Sequence, residues 1–394
     1  MPRFVAGLAV CAVLGGCAQP MDTSSGSQKS PGAPASSASP TADPVLLTLT
    51  VPRAGVSVDS SVAVKASGGA LKSVSVTGGG GEKLSGALAA DGSGWASEGR
   101  LEPGTLYTAR IVSTRSDGSA QRDVRRFRTQ DLSLDQQTFP SIAPLAGETV
   151  GVGMPVIVTF DLPVADKATF ERHMTVTATP AQQGSWYWLN DREAHWRPAK
   201  YWQAGTKVSV DVDVNSLPAG NGIFGQESRH IDFSIGDSVV SKVDARSDQM
   251  RTFVNGKLVR TTPITTGKPG FTTRSGVKVI IEKFRRKRMD SETVGISTDN
   301  PEYYNIDDVE YAMRVTYSGE FLHAAPWSVA SQGHANVSHG CTGMSVANAA
   351  WIYSISKRGD VVEYTGTDRP MTLENGYGDW NLSFADYREG SALS

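Results

Sequence analysis

Ser338-His339-Gly340-Cys341-Thr342-Gly343-Met344 is the stretch on which the reading of this chain turns. The 394 residues contain three cysteines, at positions 11, 17 and 341, and only Cys341 lies outside the N-terminal apolar segment. Three of the six histidines, His323, His334 and His339, precede it closely. A nucleophilic cysteine acts as a thiolate and needs a neighbouring base or a favourable field. Gly340 can adopt backbone angles that other residues resist, and so can set the cysteine on a tight turn. Downstream, 345–359 reads as a helix, with Ser345 as N-cap, Lys357 and Arg358 suited to the C-terminal end, and Gly359 as stop signal. Cys341 would then stand just before the positive end of that helix, an arrangement expected to lower a thiol pKa. An isolated cysteine is more commonly an inert core residue. The surrounding histidines favour the reactive reading.

Working outward, the motif resembles the nucleophile segment of the L,D-transpeptidases (YkuD-type catalytic domain), a His followed after a short loop by Ser/Thr-His-Gly-Cys. The likeness extends through Met289-Asp290-Ser291, Tyr304, Tyr317-Ser318-Gly319, His323, Ala325-Pro326-Trp327-Ser328, Gln332-Gly333-His334 and Asn336. It continues into Asn348-Ala349-Ala350-Trp351 and Gly378-Asp379-Trp380-Asn381. Spaced matches of this extent are specific.

The resemblance implies a mainly β protein: two immunoglobulin-like β-sandwich domains followed by a β-rich α+β catalytic domain. It also implies acyl transfer by Cys341, which would attack the amide between the third residue of a peptidoglycan stem tetrapeptide and its terminal D-alanine. A thioester would form, and an amine of a neighbouring stem would resolve it into a 3→3 cross-link. Water as acceptor would make the enzyme an L,D-carboxypeptidase. His323, eighteen positions upstream, is the expected general base. The backbone N–H groups of Cys341 and Gly340 would hold the oxyanion, and His339 would line the pocket. Met289 and Tyr304 are expected on a flap facing the site. Ser318, Trp327, Asn336 and Gly343 are expected on the substrate-binding side, with Trp327, His334 and Asn336 also shaping the loop. Carbapenem β-lactams are the expected inhibitors, and no cofactor or metal is expected. Two positions depart from the family pattern. Ala324 stands where serine is frequent, which is harmless if that residue's carbonyl orients the imidazole. Gly343 stands where Asn or Arg is common, so a polar side chain beside the nucleophile is lost.

The chain begins with one basic residue, Arg3, and an apolar run from Phe4 to Leu14, too short to span a bilayer and typical of an export signal. It ends in Leu14-Gly15-Gly16-Cys17, which resembles a lipobox, with Cys17 as the lipidated residue. Residues 1–17 are therefore expected to be a lipoprotein signal peptide, anchoring the protein to the outer face of the plasma membrane in the cell-wall space. Residues 18–43, rich in Ser, Pro, Gly and Ala, would be a flexible tether. A single remaining thiol cannot form a disulfide within the chain.

Residues 44–130 show short alternating runs separated by turns, at Leu46–Val51, Ser61–Lys65, Lys72–Val76 and Leu106–Val112, with Trp95 as core anchor. This is the pattern of a β-sandwich. Gly78–Gly81 lacks the Lys-Ser/Thr and helix of a phosphate loop and reads as a turn. Residues 131–237 repeat the style, at Val156–Phe160, Met174–Ala178, Ser185–Leu189, Glu193–Arg197 and Lys207–Asp213. Here Trp186, Trp188, Trp196 and Trp202 are expected in the core, with a sugar-stacking surface as the alternative. His173, His195 and His230 have no metal-like spacing and are expected to be structural.

Residues 238–366 form the expected catalytic domain. Lys242–Arg246, Met250–Val254 and Lys257–Arg260 read as strands, with Asn255-Gly256 as a hairpin turn, and Gly276–Lys283 reads as one further strand. The basic run Lys283–Arg288 reads as a solvated loop flank. A net charge of −2 argues against nucleic acid as a partner. Met289–Ser318 reads as an irregular lid, and 367–394 as an extension packed on the preceding domains.

Three other classes compete. His323, His339 and Cys341 have acceptable ligand types for zinc but lack an obvious fourth ligand. A cell-wall-binding lipoprotein with a dead catalytic domain would have lost base or nucleophile. A Cys-His amidase of the NlpC/P60 sort would place Cys before His.

Overall fold

The computed structural model describes residues 42–394. The expected export segment 1–17 with its Cys17, and the expected tether as far as residue 41, lie outside the described residues.

Two sandwiches precede the catalytic part. In the first, one sheet is ordered Leu46–Leu49, Ala63–Ser67, Gly94–Ser97, Gly86–Leu88, and the other Lys83–Leu84, Gly69–Thr77, Leu106–Arg115, Ala120–Arg128. Alternate residues of Leu106–Arg115 point inward, as a half-buried strand requires. They meet Val64, Val76 and Trp95, and Tyr107 stacks on Phe127 with ring centres 5.1 Å apart. Gly78–Gly81 is a turn closed by Gly78 N–H donating to the Glu82 carbonyl at 2.8 Å.

The second sandwich pairs Pro140–Ala143, Val156–Phe160, Glu193–Pro198 and Gly184–Trp188 against Thr149–Val150, Arg229–Ile235, Lys207–Val212 and Met174–Thr179. Trp186, Trp188, Trp196 and Trp202 are all buried. Their indole N–H groups are used internally where they are hydrogen-bonded: Trp202 donates to the Met154 carbonyl at 2.7 Å, and Trp188 to Glu171 Oε2 at 2.9 Å. These rings form the core, and the sugar-stacking alternative falls with their burial.

The catalytic part has two sheets. The first runs Lys257–Pro263, Gln249–Val254, Val239–Asp244, Val361–Thr365, Gly276–Val279. The second runs Glu282–Asp290, Asn305–Arg314, Phe321–Ala324, Thr342–Met344, the last two parallel. Val243, Ile264, Met313, Leu322, Met344 and Val362 belong to one buried cluster, joined by Ala349 and Ile352 of the helix Val346–Ile355.

Four local expectations are corrected. Gly276–Lys283 is not one strand. Gly276–Val279 pairs with Val361–Tyr364 in the first sheet, whereas Glu282 onward pairs in the second. The chain crosses over at the buried Ile280 and Ile281, whose N–H groups donate to the Asp360 and Arg314 carbonyls. The basic run is solvated but is not a loop. It lies in Glu282–Asp290, paired with Asn305–Arg314, and its charged heads lie over aromatic rings, as the Arg285 guanidinium over Tyr311 at 3.9 Å. The lid is a hairpin whose arms are strands; its tip is a 3-10 turn, Ser291–Val294, followed by the irregular 295–304. The helix ends at Ile355 rather than Gly359, because Lys357 N–H is taken by Asp360 Oδ2 at 2.6 Å. Lys357 and Arg358 therefore fall outside it. The N-cap is as expected, Ser345 Oγ accepting from Asn348 N–H at 3.3 Å.

Residues 367–394 lie against both the second sandwich and the catalytic sheet. Asn381 bonds the N–H and carbonyl of Val277, and Tyr387 packs on Tyr187 with ring centres 5.1 Å apart.

Candidate active site

The parallel pairing of Phe321–Ala324 with Thr342–Met344 sets Leu322 opposite Thr342 and His323 opposite Gly343. This register is what brings His323 and Cys341 to one cavity from eighteen residues apart. The turn ahead of the cysteine is closed by Ser338 Oγ, which donates to the Cys341 carbonyl at 2.6 Å and accepts from Gly340 N–H at 3.1 Å. Gly340 has φ of +121°, where a side chain would strain the backbone.

A cavity of about 310 Å³ is lined by His323, His339, Cys341, Met289, Tyr304, Trp327 and Gly343, together with Thr265, Ile306 and Val337. The flap hairpin supplies Met289, Tyr304 and Ile306, and Met289 lies opposite Ile306 across its arms. A second cavity, of about 490 Å³, reaches Cys341 between Met289, Tyr304, Arg314 and Gly319. Three residues expected at the site, Gly340 in the turn ahead of the cysteine, Ser318 and Asn336, do not line the first cavity. Ser318 sits on a turn and bonds Asn375 Nδ2 at 2.9 Å. Asn336 ties loops together, accepting from Thr266 N–H and donating to the Ala245 carbonyl, both at 2.7 Å.

His323 is buried, and its Nδ1 lies 2.8 Å from the Ala324 carbonyl. A carbonyl only accepts, so Nδ1 carries the proton and Nε2 keeps the lone pair a base requires. Ala324 therefore costs nothing in orienting the ring, because the backbone does that work. The imidazole stacks on Trp327 with centres 5.9 Å apart. Burial lowers its pKa and keeps it neutral.

The thiol differs from the expectation. The strand Thr342–Met344 separates Cys341 from the helix, so the helix terminus is not what tunes it. Burial raises the Cys341 pKa to about 11, Glu320 adding to this while a Phe321 backbone hydrogen bond, Lys278 and Arg314 oppose it. The resting pair is thus neutral thiol and neutral imidazole, and the thiolate forms as its proton leaves. Tyr304 is likewise pushed up to about 12, by burial and by Cys341, and stays a hydrogen-bond donor.

His339 is held by a residue that the sequence reading did not single out. Its Nε2 lies 2.7 Å from Glu302 Oε2, which also takes Lys268 Nζ at 2.5 Å. Glu302 is in the irregular tip of the flap, so this contact pins the flap to the residue beside the nucleophile. No local pattern links positions 302 and 339. Gly343 faces the cavity, and a Cβ there would meet Ala325 Cβ at 3.0 Å and Thr265 Cγ2 at 3.1 Å. Its backbone pairs both ways with Thr265 at 2.9 Å. Among the described residues, no group of three or more His, Cys, Asp or Glu is placed to hold a metal ion.

With this geometry in hand, the likeness to known proteins has a structural footing. Residues 238–363 match the L,D-transpeptidase catalytic domain (YkuD), and residues 53–218 match the bacterial Ig domain. L,D-transpeptidase 2 of Mycobacterium tuberculosis (strain CDC 1551 / Oshkosh) is 37% identical over 339 residues, spanning 86% of this chain and 82% of that protein. L,D-transpeptidase 5 of Mycobacterium tuberculosis (strain ATCC 25618 / H37Rv) is 32% identical over 341 residues, spanning 84% of this chain and 73% of that protein. A solved structure of LD transpeptidase LdtMt1 in complex with imipenem superposes with a TM-score of 0.52 at 35% identity, covering 58% of this chain and 99% of that one. The chain belongs to the L,D-transpeptidase family.

Proposed function

We propose that this protein is a peptidoglycan L,D-transpeptidase that forms 3→3 cross-links in cell-wall biogenesis. The observation that carries the reading is one cavity holding Cys341 and a His323 whose Nδ1 is fixed by the Ala324 carbonyl. In the first half-reaction His323 Nε2 takes the thiol proton as the sulfur attacks the carbonyl carbon before the terminal D-alanine. The C–N bond breaks, the proton passes to the departing amine, and D-alanine leaves. In the second, the side-chain amine of another stem attacks the thioester, the C–S bond breaks, and the thiol is regenerated. The Tyr304 hydroxyl supports binding of the reacting carbonyl, and backbone N–H groups at Gly340 and Cys341 support the oxyanion. Gly343 lets the chain pass close to Ala325 and Thr265, which a side chain there would press upon. Cross-linking and carboxypeptidase activity share the acyl-enzyme and differ only in the acceptor.

Carbapenems fit the same reading, since the first step needs only an activated carbonyl. The Leu14–Cys17 pattern supports lipidation at Cys17 and residence on the outer face of the plasma membrane. The test is incubation of the chain with a disaccharide-tetrapeptide, followed by mass spectrometry. Release of D-alanine with a cross-linked dimer is expected, as is a carbapenem adduct on wild type and none on Cys341→Ala. D-alanine release with no dimer would make it a carboxypeptidase. No turnover and no adduct from a folded protein would leave a binding lipoprotein. Loss of labelled fatty acid in Cys17→Ala would establish the anchor.

A further inference from the structure

Lys278, Glu320 and Arg274 form a buried ion cluster that the reaction described above does not use. Lys278 is fully buried and Glu320 nearly so. The Glu320 carboxylate accepts from Lys278 Nζ, from Arg274 Nη1 at 2.8 Å and from Arg274 N–H at 3.2 Å. A buried ion pair is seldom better for stability than apolar side chains of the same volume. Its place therefore asks for another reason.

The cluster contacts the nucleophile segment on both sides of Cys341. Glu320 Cγ lies 3.7 Å from where a Cβ on Gly340 would stand. Thr273, next to Arg274, donates to the Gly340 carbonyl at 2.8 Å. Beyond the cysteine, Thr342 Oγ1 is 2.8 Å from the Tyr364 hydroxyl, and Lys278 Nζ sits 3.7 Å from the centre of that ring. The residues flanking Glu320 reach the sulfur itself. The Gly319 carbonyl accepts from the thiol at 3.7 Å, and Phe321 supplies its backbone hydrogen bond. Of this cluster, the Glu320 charge raises the Cys341 pKa and the Lys278 charge lowers it, the carboxylate having the larger influence. Burial lowers the Lys278 pKa to about 8, with Glu320 opposing, so the ammonium persists at neutral pH.

We propose that the Lys278–Glu320–Arg274 cluster is a positioning device that sets the ionisation of Cys341. Lys278 draws the buried sulfur toward thiolate as the proton leaves, Glu320 opposes it, and Arg274 holds the carboxylate in place. Other groups that face the thiol are Arg314, Tyr304 and Tyr364, with His323 and His339 in the cavity. None of these is altered in the test.

The inference rests on Cys341 being the nucleophile. The test is the pH dependence of iodoacetamide alkylation of the full chain, read by mass on the peptide containing Cys341, with folding checked by circular dichroism. Glu320→Gln is expected to move the midpoint down by roughly one pH unit, a tenfold change in thiolate at fixed pH. Lys278→Met is expected to move it up, and Lys278→Arg to restore it. Opposite shifts from the anion and the cation are what a purely structural cluster would not give. Shifts of one sign in all variants, or no shift, would overturn the proposal. Should Lys278→Met fail to fold, Glu320→Gln still decides: a downward midpoint supports the proposal, and an unmoved or raised one overturns it. Absence of a carbapenem adduct on wild type would defeat the nucleophile itself. An adduct with unmoved midpoints would defeat only the charge cluster.

Discussion

The two junctions in this chain are built on different physics. Between the first and second sandwiches the contacts are polar and open to solvent. Arg100 donates to Asp213 Oδ1 at 2.6 Å and to the Asn215 carbonyl at 2.5 Å, and Asn215 donates to Glu102 at 2.5 Å. Each sandwich keeps its own apolar cluster. Between the second sandwich and the catalytic sheet the core is continuous: Val279, Ile281, Val361 and Tyr377 belong to the cluster that holds the tryptophans. Gly151 and Gly153 donate to the Arg358 and Gly359 carbonyls at 2.8 Å, and a Cβ on Gly151 would fall 2.2 Å from Asp360 N. The C-terminal segment staples the seam. Asp379 takes His195 Nδ1 at 2.9 Å and the Tyr387 hydroxyl at 2.9 Å, and Trp380 donates to the Gly153 carbonyl at 2.8 Å. The lesson is that the second sandwich supports the enzyme's fold, whereas the first is attached by contacts that salt and water weaken.

Breaking the apolar junction should have the largest effect. Asp379→Ala leaves His195 buried beside a cavity, and the expected loss is about 3–5 kcal/mol, read from denaturant unfolding. A loss below 1 kcal/mol would show that the staple is decorative. A subtler probe of the same seam is pH. Burial pulls His195 down, but the Asp379 and Glu193 carboxylates outweigh this and raise it from 6.5 to about 9. The folded state then holds a proton that the unfolded chain gives up. The stability this contributes is complete below about pH 6.5 and is lost as pH rises through about 9. Melting temperatures across that window should fall in wild type and flatten in His195→Gln. The smallest effect is expected at the polar junction. Arg100→Ala should cost no more than about 1 kcal/mol and leave acyl-enzyme formation unchanged. A larger loss, or slower acylation, would show the first sandwich coupled to the site.

The same contrast separates what could be read in the chain from what could not. Ser345 as N-cap and the alternation in Leu106–Arg115 are local features, legible because capping and strand pleat act over a few residues. The nucleophile motif was legible because its residues are adjacent in sequence. The break at Ile280–Ile281 was not, since an uninterrupted apolar run fits one strand or two. The flap arms were hidden because charged side chains crowd Glu282–Asp290 with no apolar alternation, and only pairing with Asn305–Arg314 makes it a strand.

By itself, then, the sequence determined the family and the order of two sandwiches before a catalytic domain, and it nominated Cys341 and His323 as nucleophile and base. Those follow from residue types at fixed spacing. Tertiary structure decided that the Cys341 thiol rests protonated, because desolvation depends on what surrounds a group and not on its neighbours in the chain. It also decided that Glu302 holds His339, that Glu320 pairs Lys278 beside the sulfur, and that Asp379 closes the C-terminal seam on His195. Each of these joins residues tens to nearly two hundred positions apart, and no local periodicity encodes such a pairing.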